Sequence, residues 1–95
     1  MILTVEIDKI APGIYEAHPT LGGVAAREPE TYDRIDTAIR QEALGAEGFA
    51  NFVEFIYGGM STGTYEVQEA SANASNLANR LVALLAQLHL FEESR

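Results

Sequence analysis

The chain has 95 residues, of which 47% are apolar, and its 14 acidic and 6 basic residues give a formal net charge of −8. This length predicts one small domain, residues 1–95, with a core of its own. The charge excludes direct binding to nucleic acid or to an anionic membrane, and the absence of cysteine excludes disulfides and thiolate metal sites.

The N-terminal segment and the apolar runs indicate a protein of the cytoplasm. Glu6 and Asp8 interrupt the first apolar run too early for a signal peptide. No run reaches the roughly 18 apolar residues that a membrane-spanning helix needs. We therefore expect a cytoplasmic location and no membrane contact.

The first 27 residues predict β structure. Apolar and polar residues alternate over 3–8, which is the period of a half-buried strand. Proline and glycine at 12–13 predict a turn, so residues 14–18 are expected to form a second, antiparallel strand. Residues 24–27 predict a short third strand, although their alanines are weak strand formers.

A first helix is expected to begin near Glu30 and to end at Gly45. Pro29 suits the first helical position because its missing N–H costs no hydrogen bond there. Apolar residues then recur every three or four positions, as on the buried side of a helix. Glycine is the residue that most often follows a helix end.

The next segment, residues 49–57, matches both a helical face and a strand face. Its aromatic and β-branched residues favour a strand over 51–57, and residues 64–68 predict a second strand. The two strands are expected to pair across a flexible loop, Gly58–Gly63.

The C-terminal run from Ala70 to Phe91 predicts a long amphipathic helix. Arg80 is its only fully charged residue. Spacings of three and four predict that this helix forms the core and that the rest of the chain covers it. Its apolar seam consists of Ala70, Ala74, Leu77, Leu81, Leu84, Leu88 and Phe91.

A weak internal similarity relates the two halves of the chain. Residues 13–17 recur as residues 63–67, and the apolar positions of 3–7 match those of 53–57 at the same offset. Duplication and chance similarity of turns both explain it. The predicted fold class is α+β, an antiparallel sheet of four to five strands with two helices on one face in the order ββ(β)α-ββα.

Residues that carry chemistry are few. Neither His18 nor His89 stands at a spacing that indicates a nucleophile partner or a second metal ligand, and His89 is expected to be partly buried. The run Gly58–Gly63 lacks the lysine of a phosphate loop and is not followed by a predicted helix. We therefore expect no catalytic residue, no cofactor and no metal site.

The carboxylates form the more informative pattern. Strand alternation predicts that several of them share the sheet face away from the helices, while others lie on the exposed side of the first helix. An ordinary solvated surface is the alternative interpretation. The predicted partner-binding residues are Glu6, Asp8, Glu16 and Glu66 on the sheet, and Glu30, Asp33 and Asp36 on the first helix.

Charge and size predict a non-enzymatic protein-binding domain with a basic partner. The expected type is an inhibitor that occupies a basic surface of a nucleic-acid-handling machine, analogous in size and charge alone to anti-CRISPR and nuclease-immunity proteins. The alternative is a dimerising scaffold or accessory subunit. A third hypothesis, an enzyme at a dimer interface, would use His18 or paired acids. The predicted self-association residues are Leu81, Leu84, Leu88 and Leu90.

Overall fold

The computed structural model describes the backbone of residues 1–93 and their side chains except those of residues 89 and 91–93. The expected burial of His89 and the role of Phe91 in the helix seam therefore lie outside the described residues. Over the described range the elements are β1 (Ile2–Ala11), β2 (Ile14–Leu21), β3 (Val24–Ala25), β4 (Glu30–Tyr32), α1 (Ile35–Ala46), β5 (Phe52–Tyr57), β6 (Met60–Glu66), α2 (Val67–Ala72) and α3 (Ala74–Glu93).

The strands form one mixed sheet in the order β3-β2-β1-β5-β6, with β4 pairing with β2 beside β3. The predicted α+β class is confirmed. The sheet is mixed where an antiparallel one was predicted, and it has five strands in this order plus β4, against the predicted four to five. Three helices are present where two were predicted. Strands β1 and β5 are parallel, with Val5 beside Phe55. The connection between them contains α1, and a connection of that length lets a strand return in the same direction.

The core lies between the sheet and the helices, which cover one face. The central strands supply fully buried side chains such as Leu3 and Phe55, and α1 supplies Ile39. Helix α1 contacts both α2 and α3, so the helices form one layer. Among the described residues, no helix has the length and apolar content needed to cross a membrane.

The internal sequence similarity coincides with the parallel register, because Leu3 pairs with Val53 and Ile7 with Tyr57. The two halves are nevertheless not copies related by a rotation. Strands β1 and β5 point the same way, β2 and β6 lie on opposite sides of them, and the helices share one face. Only a mirror operation would relate such halves. The arrangement therefore argues against duplication of one folded unit.

The segment predicted to open the first helix is instead strand β4. Its backbone pairs with β2, with Glu30 opposite Ala17 and Tyr32 opposite Tyr15. Threonine and tyrosine favour strands. Pairing with β2 also gives the backbone groups of this segment hydrogen-bond partners, which the first turn of a helix lacks for its N–H groups. Helix α1 consequently begins at Ile35, and it continues through Gly45 to Ala46.

The buried carboxylate of Glu42 in α1 forms hydrogen bonds with residues at the β4 edge of the sheet. Glu42 is only 2% exposed. It accepts hydrogen bonds from Arg27 Nη2 at 2.9 Å and from the Tyr32 hydroxyl at 2.6 Å. Burial and the Glu42 carboxylate raise the pKa of Tyr32 far above its usual range. A side chain at Gly45 would collide with the Arg27 guanidinium, so glycine leaves room for this network.

Strands β5 and β6 meet in a tighter turn than the predicted Gly58–Gly63 loop. Gly58 and Gly59 have φ angles of +58° and +83°, as a two-residue type I′ hairpin requires, and the strand resumes at Met60. The backbone pairing of β5 with β6 is irregular between Glu54 and Ile56. There the Thr62 hydroxyl lies 3.2 Å from the Phe55 nitrogen and 3.3 Å from its oxygen, replacing a backbone partner.

The C-terminal helices correct the prediction that one long helix forms the core. A turn at Asn73 separates α2 from α3, and α2 begins at Val67, where a strand was expected. Among the side chains of α3 that the structure describes, Leu81 is the last that is buried, whereas Val82 is 50% and Leu90 65% exposed. The prediction that Leu81 takes part in self-association is wrong, because Leu81 is fully buried in the core. A helix of this length spans about 30 Å, more than the strands beneath it, so its second half is only partly covered.

Thr62→Val is expected to lower the free energy of unfolding by about 1–3 kcal/mol, because valine fills the same space without the hydroxyl that contacts Phe55. Thr64→Val, at an exposed position of β6, is the control and should change it by less than about 0.5 kcal/mol. Urea denaturation measures both. Equal losses in the two variants would contradict the bridging role of Thr62.

Candidate functional site

The sheet face turned away from the helices carries most of the predicted binding carboxylates. Leu3, Val5 and Ile7 are buried against the helices, so the residues between them point the other way. Cross-strand pairing then carries this orientation to the neighbouring strands. The open acidic face, as we name it, consists of Glu6 and Asp8 of β1, Glu16 of β2, Glu54 of β5 and Glu66 of β6.

The strand register determines which carboxylates are neighbours. Asp8 lies directly opposite Glu16, and Glu6 lies opposite His18. Glu54 accepts a hydrogen bond from the Ser61 hydroxyl on β6. Three carboxylates thus gather around His18, while the other two lie further along the sheet.

His18 is the one cationic or potentially cationic side chain at these face positions among the residues that the structure describes. Its Nε2 atom lies 2.8 Å from Glu16 Oε1 and 3.4 Å from Asp8 Oδ2. A neutral ring donates its Nε2 hydrogen to Glu16, and a protonated ring places a positive charge between two carboxylates. Lysine and arginine occupy none of the described positions on the face, so its potential is negative.

The structure brings together four of the seven predicted binding residues, namely Glu6, Asp8, Glu16 and Glu66. It adds Glu54, which the sequence analysis missed. The signal for Glu54 was present: Val53 and Phe55 on either side are buried, so alternation directs Glu54 outward. The ambiguity between helix and strand over residues 49–57 hid it.

The three acids predicted on the first helix do not extend this face. Glu30 belongs to β4, where its carboxylate accepts a hydrogen bond from Tyr32 on the helix-covered side. Asp33 lies in the link between β4 and α1. Asp36 is in the first turn of α1 and pairs with Arg34 Nε at 2.9 Å. These three acids therefore lie apart from the open acidic face, and Glu30 is in a strand and Asp33 in a link where the first helix was predicted.

Arg34 changes the titration of its partner. The hydrogen bond and positive charge of Arg34 lower the pKa of Asp36 below its usual range, and the carboxylate raises the pKa of Arg34. This pair stabilises the start of α1, where a negative side chain also favours the helix dipole. It removes Asp36 from the set of free carboxylates.

One end of the open acidic face is apolar. Ile2 is 47% exposed and Phe52, its cross-strand neighbour, is 41% exposed. A shallow groove of about 380 Å³ adjoins them, lined in part by Phe52, Glu66 and Asn51. The face therefore combines negative charge with an exposed aromatic ring beside a concave surface.

Hydroxyl side chains also lie on the open side of the sheet, Ser61 among them. His18 and Ser61 both lie on the open side of the sheet, but three strand spacings, about 14 Å, separate them. Within the described part of the chain, no three His, Asp or Glu side chains are grouped so as to hold a metal ion. What the face offers is a fixed array of carboxylates with few competing cations.

Comparison with known proteins finds no match to a protein-family model, to a curated protein or to a solved structure. The functional interpretation is therefore based on the geometry of the chain itself. The open acidic face is the surface on which it depends.

Replacing Arg34 with glutamine is expected to raise the pKa of Asp36 toward its ordinary value, because the variant removes the main group that stabilises the carboxylate. A lowered folded-state pKa contributes stability above the ordinary aspartate value near 4 and loses it as pH falls through the folded-state pKa. The stability difference between wild type and variant should thus exist at pH 7 and shrink as the pH falls below about 4. NMR titration of Asp36 and denaturation over this pH range measure this.

Arg80→Gln is the control for that experiment, because Arg80 contacts Tyr65 on a different part of the fold. It should leave the pKa of Asp36 unchanged. An Asp36 that titrates identically in the wild type and in Arg34→Gln would contradict the assigned pairing.

Proposed function

We propose that the protein is a non-enzymatic binding domain whose open acidic face occupies a basic surface of a protein partner, in the manner of an inhibitor of a nucleic-acid-handling machine. One observation carries the proposal: carboxylates from four strands share a single uncovered sheet face that has no lysine or arginine among its described positions. Paired strands hold these groups in a fixed arrangement, which lowers the entropic cost of binding.

Charge spacing indicates what kind of surface would complement the face. Alternate residues of a strand are about 7 Å apart and neighbouring strands about 5 Å apart. Duplex DNA carries one charge per roughly 1.7 Å of its axis, a much denser array. The face is therefore suited to a folded protein surface with separate basic side chains, and it would compete for part of a nucleic-acid groove through charge and shape.

The apolar end of the face supplies a second component of binding. Exposed aromatic side chains next to concave surface are frequent energetic centres of protein interfaces, and Phe52 is in such a position. Electrostatic attraction is screened beyond about 8–10 Å in physiological salt, but contact with Phe52 and Ile2 is not. We expect a salt-sensitive association rate and an apolar contribution that persists at high salt.

Neutralising the face is expected to weaken partner binding by at least about tenfold, since several complementary charge pairs would be lost together. The variant carries Glu6→Gln, Asp8→Asn, Glu16→Gln and Glu66→Gln. The partner is first identified by affinity capture from the native host at low and high salt with mass spectrometry. The purified partner is then titrated against each variant, and displacement of its nucleic acid is followed in parallel.

The matched control neutralises four exposed acids away from the face: Glu28→Gln, Glu30→Gln, Asp33→Asn and Glu69→Gln. Each set removes four negative charges and changes the formal net charge from −8 to −4. The control should retain nearly full affinity. Equal weakening in both sets would show that net charge alone governs binding, and full binding by the face variant would refute the proposal.

A further inference from the structure

The groove at the apolar end of the open acidic face is lined by three segments of the chain. They are the turn that follows α1, the start of β5, and the junction of β6 with α2. We call it the Phe52 groove. Its lining includes Glu47, Asn51, Phe52, Glu66 and Gln68, and none of its lining residues is lysine, arginine or histidine. The groove is therefore acidic, and it adjoins the face on which the proposed function depends.

Backbone hydrogen bonds hold the walls of the Phe52 groove in place. The Val67 N–H donates to the Asn51 carbonyl at 3.2 Å, and the Ala50 N–H donates to the Ala46 carbonyl at 3.0 Å. These bonds join the residues before β5 to the first residue of α2 and to the last residue of α1. A site built on segments fixed in this way needs little rearrangement when it binds a ligand.

Phe52 and Glu66 present an aromatic ring and a carboxylate side by side. The two residues lie opposite each other on β5 and β6, and such a pair has Cβ atoms about 4.5–5.5 Å apart. Phe52 is 41% exposed, so its ring is accessible to a ligand. Glu47 adds a second carboxylate from the turn after α1. The ion pairs that the structure describes involve neither Glu47 nor Glu66.

One positive charge of the chain lies at the rim of the groove. The Met1 ammonium donates a hydrogen bond to Asn51 Oδ1 at 3.4 Å. The carboxylates of Glu47 and Glu66 outnumber this charge, so the balance of the groove remains negative. A further positive charge is therefore still attracted.

We propose that the Phe52 groove receives the side chain of an arginine from the basic surface of the partner. This inference rests on the proposed function, which brings such a surface against the open acidic face. A guanidinium is flat, stacks on an aromatic ring, and carries five N–H donors that can contact more than one carboxylate. Proteins favour arginine for binding phosphate and nucleic acid, so the surface of a nucleic-acid-handling partner supplies it.

Size and charge argue against other occupants of the groove. Its volume of about 380 Å³ is near the lower end of the roughly 300–1,000 Å³ that ligand sites span, so it suits one side chain. An apolar side chain would remove water from the carboxylates without replacing their hydrogen bonds. A metal ion needs several ligands at one point, and the described residues include no such group. A lysine ammonium supplies charge, but it cannot stack flat on the ring.

Titration with N-acetyl-arginine N-methylamide, followed by NMR, tests the groove without the partner. We expect saturable chemical-shift changes centred on the amides of Asn51, Phe52 and Gln68, with a dissociation constant in the roughly millimolar range expected for a single side chain. The citrulline analogue has nearly the same shape but no charge, and it should produce no saturable change. The lysine analogue should bind more weakly than the arginine analogue.

Matched variants locate the binding site. Phe52→Leu should weaken binding of the arginine analogue about two- to fivefold, which corresponds to a cation–π contact at an exposed site. Phe49→Leu is the control, because Phe49 is 40% exposed but does not line the groove. Glu47→Gln should weaken binding at least about twofold, whereas Glu69→Gln, at an exposed position of α2, should change it less. All four positions are exposed, so each variant should retain the fold.

Glu47 lies outside the open acidic face, and this separates the inference from the proposed function. In the assay with the purified partner, Glu47→Gln should weaken binding and Glu69→Gln should not. Shifts spread evenly over the acidic surface, or equal losses in Phe52→Leu and Phe49→Leu, would overturn the inference even if neutralising the face abolishes partner binding. Groove-centred shifts together with full partner binding by the face variant would refute the proposed function and leave the groove as an arginine site.

Discussion

The parallel pairing of β1 with β5 is the constraint on which the rest of the structure depends. It places the most deeply buried strands side by side in the centre of the sheet, with Val5 next to Phe55. Because β5 must run in the same direction as β1, α1 has to cross one face of the sheet between them. Helices α2 and α3 pack on α1 and share that face. The other face remains uncovered, and the proposed function depends on this difference between the two faces of the sheet.

An uncovered sheet face requires side chains that tolerate water and discourage aggregation. Carboxylates satisfy both needs, since their mutual repulsion opposes face-to-face stacking of copies. The same carboxylates attract a basic surface, so solubility and recognition are compatible here.

Several features were inaccessible to sequence reasoning because they depend on contacts between distant residues. Glu42 has the character of a surface residue, and only the approach of Arg27 and Tyr32 permits its burial. The segment at Glu30 has a helix-start pattern, but pairing with β2 makes it a strand. The apolar seam of α3 predicts burial along the whole helix, yet the described side chains that are buried all lie in its first half, above the sheet.

The sequence by itself determined which side chains of a strand point inward and which outward. Glu6 and Asp8 could be placed on one side of β1 because alternation is a property of the local backbone and holds whatever strand lies alongside. Only the tertiary structure decided which strands are neighbours, in which direction they run, and where the helix layer ends. Those choices depend on how buried surface is shared between segments that are distant in sequence, and no local pattern encodes that balance.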